Sequence, residues 1–204
     1  MITAVYSDAW RLVSAGGRND SPYLAMDADS DEALMARIGR GEQAAFRVLA
    51  RRYAAICAAL ATRVLGNRSD AEDIAQEALL RVWTNAPRWQ PVAKFRTWLT
   101  RIVINLCLDR KRRAPWVALE AAGELTDPAR DPAAQYESDE RERQLADAIG
   151  QLPIRQRAAI VLIYREGMSH AEAAEILDTT VSAVETLLAR GKTALRRTLK
   201  DNGE

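Results

Sequence analysis

"GMSHAEAAEILDTTVSAVETLLARGKTALRR", residues 167–197, decides the fold. Ser169 stands where a helix N-cap is wanted, and Ala173, Ala174 and Leu177 then fall on one inward face. Asp178-Thr179-Thr180 reads as a tight turn, with Thr180 placed to cap a second helix. Along that helix Val184, Leu188, Gly191 and Leu195 form a narrow apolar stripe. At 100° per residue the opposite face carries Ser182, Thr186, Ala189, Arg190, Thr193 and Arg197. Short polar and basic side chains opposite a narrow stripe suit a helix lying in a DNA major groove. Arg190, Lys192, Arg196, Arg197 and Lys200 are then placed to meet phosphates. Glu185, on the flank, is suited to accept from a cytosine amino group. The spacing reads as a helix-turn-helix, though an ordinary helical hairpin with a solvated basic end has the same pattern.

Working back along the chain, helices are expected over about 154–166, 170–177 and 181–199, and "SDERERQLADAIGQL" is helical up to Pro153. Before it, residues 114–137 hold three prolines, are acidic overall and have no period, which reads as a linker. Earlier still, Phe46, Leu49, Ala50, Tyr53, Cys57, Leu60, Ala61 and Val64 keep helical spacing until Gly66-Asn67 stops them. Ser30 caps a preceding helix. Ser69 or Asp70 caps the following one, which runs to about Trp83. "NAPRWQP" is a loop, and a third strong helix spans about Phe95 to Arg112. No stretch alternates with period two. The expected fold is all-α: two small helical domains, 29–113 and 138–204, joined by a flexible tether. Residues 1–28, broken by "SAGGRNDSP", are expected to be a disordered or weakly ordered extension, with Met26 as a natural alternative start.

The net charge of the 204-residue chain is only +1, so the charge must be read locally. Residues 94–113 are strongly basic, whereas residues 117–150 set nine acids against three arginines. This segregation suggests one nucleic-acid face and a separate acidic segment. On the helix from Phe95, Leu99, Ile102, Val103 and Leu106 make the core stripe, and Arg101, Asn105, Leu108 and Arg112 make another. Trp83, Trp89, Phe95 and Trp98 cluster near its start. Bases stack on such rings while arginines meet phosphates, as in single-stranded or melted DNA; packing in a core is the other use of the same rings.

"DAEDIAQEAL", residues 70–79, is acidic beside this basic helix. Ala71, Ile74, Ala75, Ala78 and Val82 face inward, and Asp73, Gln76, Glu77 and Leu80 lie opposite. A solvated charged face has this pattern. An exposed leucine ringed by carboxylates also suits a docking surface for a basic protein partner.

The two cysteines, Cys57 and Cys107, are fifty residues apart and in no metal-ligand spacing, so both are expected as reduced, buried side chains. There is no Gly-rich phosphate loop, metal cluster or nucleophile–base pair, and the one histidine, His170, opens the helix-turn-helix. No cofactor, metal or catalysis is expected. No apolar run is long enough to span a membrane and no secretory signal opens the chain, so a cytoplasmic location is expected.

Three motifs in order, "DAEDIAQEALLRVW", "FRTWLTRIVINLCLDRKRR" and "LPIRQRAAIVLIYREGMSHAEAAEIL" followed by "VSAVETLLARGKTALR", resemble the bacterial extracytoplasmic-function (ECF) sigma factors over about residues 30–200. These are sigma-70-type factors reduced to domains 2 and 4. The resemblance implies that Asp73, Gln76, Glu77 and Leu80 dock on the clamp helices of the RNA polymerase β′ subunit. It implies that the helix from Phe95 melts and reads the −10 element through Arg96, Trp98, Arg101, Asn105, Asp109, Arg112 and Arg113. The helix from Val181 resembles the reader of the −35 element, with Ser182, Glu185, Thr186, Ala189, Arg190, Lys192 and Arg197 as its contacts. The linker would thread toward the polymerase active-site channel. An anti-sigma factor is implied as a further partner, and control by stress as a role. Many family members carry Lys-Ser-Arg where this chain has Glu185-Thr186-Leu187, a departure that bears on the −35 sequence. A stand-alone helix-turn-helix regulator is the alternative; it needs no polymerase-docking face.

Overall fold

The computed structural model describes residues 29–113 and 144–201. The expected extension, 1–28, and the expected linker, 114–137, lie outside the described residues. Every regular element among those described is helical. In chain order they are α1 (Asp31–Gly39), α2 (Gln43–Leu65), α3 (Arg68–Asn85), a 3-10 turn (Ala86–Arg88) and α4 (Phe95–Arg113). Then come a helix through residues 144–150 (α5), α6 (Ile154–Ile160), α7 (His170–Ile176) and α8 (Val181–Asp201). The chain divides into two compact units, one built from α1 to Ala61 of α2 with Ser69–Leu106, the other from Thr62–Arg68 with Cys107 onward.

In the first unit, Ser30 caps α1 by accepting from the Ala33 amide at 3.2 Å. Leu34, Met35 and Ile38 of α1 and Phe46, Leu49, Cys57 and Ala61 of α2 are all buried. Gly66 ends α2 in the left-handed region, at φ +75°, where a Cβ would be strained. α3 starts at Arg68, one to two residues before the caps expected at Ser69 or Asp70. Ala71, Ile74, Ala75, Ala78 and Val82 of α3 are buried as their spacing demands. Tyr53 donates to Asp31, whose carboxylate also takes the Arg52 guanidinium. Burial, and then that hydrogen bond to a carboxylate, raise the Tyr53 pKa above its usual value. Cys57 and Cys107 are free and buried, and burial pushes both thiols up to about 12, so they stay protonated.

The second unit is built around Arg157, 8% exposed. One of its guanidinium nitrogens donates to the Val64 carbonyl at 2.9 Å, and the other to the carbonyls of Gly150 and of Leu152, the latter at 3.2 Å. Burial without a carboxylate partner in these bonds lowers its pKa. The helix expected over 154–166 is instead two pieces. α6 gives way to a wider π turn, Val161–Arg165, in which the Glu166 amide donates to the Val161 carbonyl at 3.0 Å. Ala158, Ala159, Ile160, Val161 and Leu162 are buried, so the extra residue per turn swings Tyr164 and Arg165 out to solvent.

Candidate nucleic-acid interface and docking face

The helix-turn-helix is held at the start of α7, in the turn and at the start of α8. Ser169 and Glu172 form a reciprocal capping box, the Glu172 amide donating to Ser169 Oγ at 3.2 Å and the Ser169 amide to the Glu172 carboxylate at 2.8 Å. Asp178 takes the left-handed conformation at φ +49°, one that an aspartate tolerates better than most side chains. Thr180 Oγ1 accepts from the Ala183 amide at 3.2 Å and so caps α8. From outside the motif, Arg155 donates to the Leu177 carbonyl at 2.9 Å, satisfying the end of α7. His170 is exposed and takes no part in the cap.

α8 then presents the face its spacing predicts. Val184, Leu188 and Gly191 are buried, and Leu195 only half so. Ser182, Glu185, Thr186, Ala189, Arg190, Lys192, Thr193, Arg196, Arg197 and Lys200 are all exposed. Two hydroxyls are committed to their own helix: Thr186 Oγ1 donates to the Ser182 carbonyl and Thr193 Oγ1 to the Ala189 carbonyl, both at 2.9 Å. Each still offers lone pairs and a methyl group to a groove. Ala189, Thr193 and Ala194 are small, and they leave a shallow depression of about 380 Å³ flanked by Arg190 and Arg197. Lys192 lies off this face, its ammonium 4.9 Å from the centre of the Tyr164 ring.

On α4, Phe95 is 1% exposed and is the hub of the aromatic cluster. Its ring lies 5.1 Å from Tyr53, 6.3 Å from Trp89 and 5.8 Å from Trp98, and Trp89 and Trp98 are 6.2 Å apart. Trp83 belongs to a different pair, edge-on to Phe46 at 5.3 Å. Trp89 and Trp98 are half-buried, so each packs one side of its ring and keeps some surface outside. The cluster is therefore both core and a partly open ledge. Leu99, Val103 and Leu106 are buried, Ile102 is half-buried, and Ile104 is fully buried although the expected stripe omits it. Arg96, Arg101 and Arg113 are exposed, and Asn105 and Asp109 half-buried. Arg112 is 75% exposed on its side chain, and its guanidinium meets the Asp109 carboxylate at 3.1 Å. The run Arg110–Arg113 also sits at the negative end of α4, where cations stabilise the helix itself.

On α3, Asp73, Gln76, Glu77 and Leu80 share one face, with Asp73 and Gln76 exposed. Two details differ from expectation. Leu80 is half-buried rather than exposed, and Glu77 pairs with Arg81 Nε at 3.1 Å. The i,i+4 spacing of Glu77 and Arg81 was the available signal for that pair. Among the described residues no group of histidine, cysteine and carboxylate side chains could hold a metal, and no helix is long and apolar enough to cross a membrane.

These two surfaces coincide with two known regions. Residues 49–117 match Sigma-70 region 2, and residues 142–195 match Sigma-70, region 4. The ECF RNA polymerase sigma factor SigW of Bacillus subtilis is 35% identical over 176 residues, covering 81% of this chain and 94% of its own. The ECF RNA polymerase sigma factor SigM of Mycobacterium tuberculosis is 34% identical over 190 residues, covering 92% of this chain and 89% of its own. Among solved structures, CnrH in complex with the cytosolic domain of CnrY superposes with a TM-score of 0.61 at 28% identity, over 85% of this chain and 99% of that one.

Proposed function

The chain belongs to the ECF sigma factors of the sigma-70 family, and from that premise we propose how its surfaces divide the work of starting transcription. It directs RNA polymerase to promoters and initiates transcription there. Both sigma regions are present, so a stand-alone regulator is not favoured.

Residues 29–113 act as domain 2 and 138–204 as domain 4. The α3 face of Asp73, Gln76, Glu77 and Leu80 docks on the β′ clamp helices. Arg96, Trp98, Arg101, Asn105, Asp109, Arg112 and Arg113 of α4 take the −10 element, with the open edges of Trp89 and Trp98 available to unstacked bases. Ser182, Glu185, Thr186, Ala189, Arg190, Lys192 and Arg197 take the −35 duplex. Strand separation is driven by binding, since melted bases gain ring contacts that paired bases cannot make. The chain itself makes and breaks no covalent bond and works in the cytoplasm.

CnrH is solved with the cytosolic domain of CnrY, and a sigma factor of the same fold, RpoE of Bartonella quintana, with an anti-sigma factor. Control by an anti-sigma factor that covers these faces follows for this chain by analogy.

The observation that carries the reading is the exposed polar and basic face of α8, in a helix-turn-helix whose two helices are both capped at their starts. Binding of the full chain to core RNA polymerase tests the docking half. The wild type should bind one to one, and Asp73→Arg with Glu77→Arg should abolish binding. Retention of binding by the double variant would place the docking face elsewhere.

A further inference from the structure

Lys192 is the one basic residue of α8 that the structure holds against another side chain among those assigned to DNA. Its position has a cause two elements away. Gly191 is buried where α8 crosses α6, and a Cβ there would lie 2.8 Å from the Ile160 side chain. The two backbones therefore come close at this residue, and Lys192 is carried to the edge of the α6 side. The π turn that follows α6 places Tyr164 at that edge, 54% exposed although flanked by a buried stretch. The Lys192 ammonium sits over the ring face at 4.9 Å. No carboxylate among the described residues pairs with it.

We propose that Tyr164 is a positioning residue for DNA binding: it holds Lys192 over its ring, on the flank of the −35 face, with the outer side of the ammonium free for a backbone phosphate. A free lysine has a four-carbon stem whose rotamer freedom is lost on contact with a phosphate. Over Tyr164 part of that loss is already met in the unbound chain. The ring supplies quadrupole attraction and no negative charge, so it does not neutralise the cation as a carboxylate does. A phosphate can approach from the solvent side without displacing the ring. Glu166, the nearest acid in sequence, is directed elsewhere, its carboxylate meeting Arg63 at 3.4 Å. The inference rests on the −35 reading of α8 and adds to it a residue that the helix-turn-helix pattern does not contain.

Phosphate contact is independent of sequence, so a fluorescent 20-base-pair duplex of arbitrary sequence serves as the probe, titrated with the full chain at several salt concentrations. Lys192→Ala should weaken binding and lower the salt slope by about 1. Tyr164→Ala should weaken binding about two- to fivefold at unchanged slope, while Tyr164→Phe, which keeps the ring, should match the wild type. In the Lys192→Ala background, Tyr164→Ala should add nothing. Helical content by circular dichroism, unchanged in each variant, excludes unfolding as the cause. If Lys192→Ala weakens binding but Tyr164→Ala does not, or if the two losses simply add, the positioning role is overturned. If Lys192→Ala has no effect at all, the phosphate contact on this flank is overturned first, and the role of Tyr164 falls with it.

Discussion

α3 and α8 follow the same plan with opposite charge. Each buries a stripe of small and branched residues and turns a polar face outward. They differ in what that face already touches. On α3, Glu77 is paired with Arg81 and Leu80 is half-buried, so the acidic face is partly answered within its own helix. On α8, Glu185 is the only exposed acid from Ser182 to Arg197, against seven exposed cations and hydroxyl groups, and the one held cation lies over a neutral ring. A face that is partly self-neutralised suits a protein partner of complementary shape, where the apolar anchor carries affinity and charge carries selectivity. An unneutralised basic face suits a polyanion, where affinity comes from releasing counterions.

The largest effect should come from breaking this division. Asp73→Arg with Glu77→Arg should cost on the order of several kcal/mol in core polymerase binding, more than about 100-fold in Kd. It should leave binding of a DNA duplex unchanged if duplex binding is the work of α8, as proposed. Loss of both in parallel titrations would show that the variant had unfolded or that the faces are not separate.

Next comes the frame that carries α8. Arg157→Leu leaves the carbonyls of Val64, Gly150 and Leu152 without their buried donor. It should destabilise the chain by about 3 kcal/mol in urea unfolding. A change below about 0.5 kcal/mol would mean that water replaces the guanidinium freely. Burial lowers the Arg157 pKa, so the unfolded chain holds this proton more tightly than the folded one, and the shift by itself makes stability rise, not fall, as pH climbs through the strongly basic range.

A smaller and more selective effect is expected on the reading face. Arg190→Ala and Thr186→Ala should each cost about 1–3 kcal/mol at particular base pairs and shift the preferred −35 sequence, read by selection from a randomised duplex pool. Uniform weakening across the pool would make both residues backbone contacts. Ser169→Ala should have the smallest effect. It removes one half of the capping box and should lower stability by about 1 kcal/mol, measured by thermal unfolding, with the selected sequence unchanged.

The same contrast explains what was legible in the sequence. The helix-turn-helix was readable because its signals are local: Ser169, Thr180 and the stripe Val184, Leu188, Gly191 act within a few residues of themselves. The inner face of α3 was readable for the same reason. What escaped depends on partners distant in sequence or on a change of helical pitch. Arg157 looks like an ordinary charged residue until three carbonyls converge on it. Arg155 is one turn of α6 in sequence but caps α7 in space. A continuous apolar run, Ala158–Ile163, gives no hint that its end winds as a π turn and exposes Tyr164. Its angle alone puts Leu80 on the outer face, and packing draws it halfway in. Asp109–Arg112 and Glu77–Arg81 lay in plain i,i+3 and i,i+4 spacing. The sequence reading gives Glu77, Asp109 and Arg112 to partners outside the chain and gives Arg81 no role, so neither pair stands out there.

The most direct test of the whole account is run-off transcription by core RNA polymerase, with and without the full chain, on a library of genomic fragments from the source bacterium. The account predicts chain-dependent transcripts whose start sites lie downstream of one shared pair of −35 and −10 elements, with none when Asp73→Arg and Glu77→Arg are combined. Transcripts unchanged by adding the chain, or start sites sharing no upstream sequence, would contradict it.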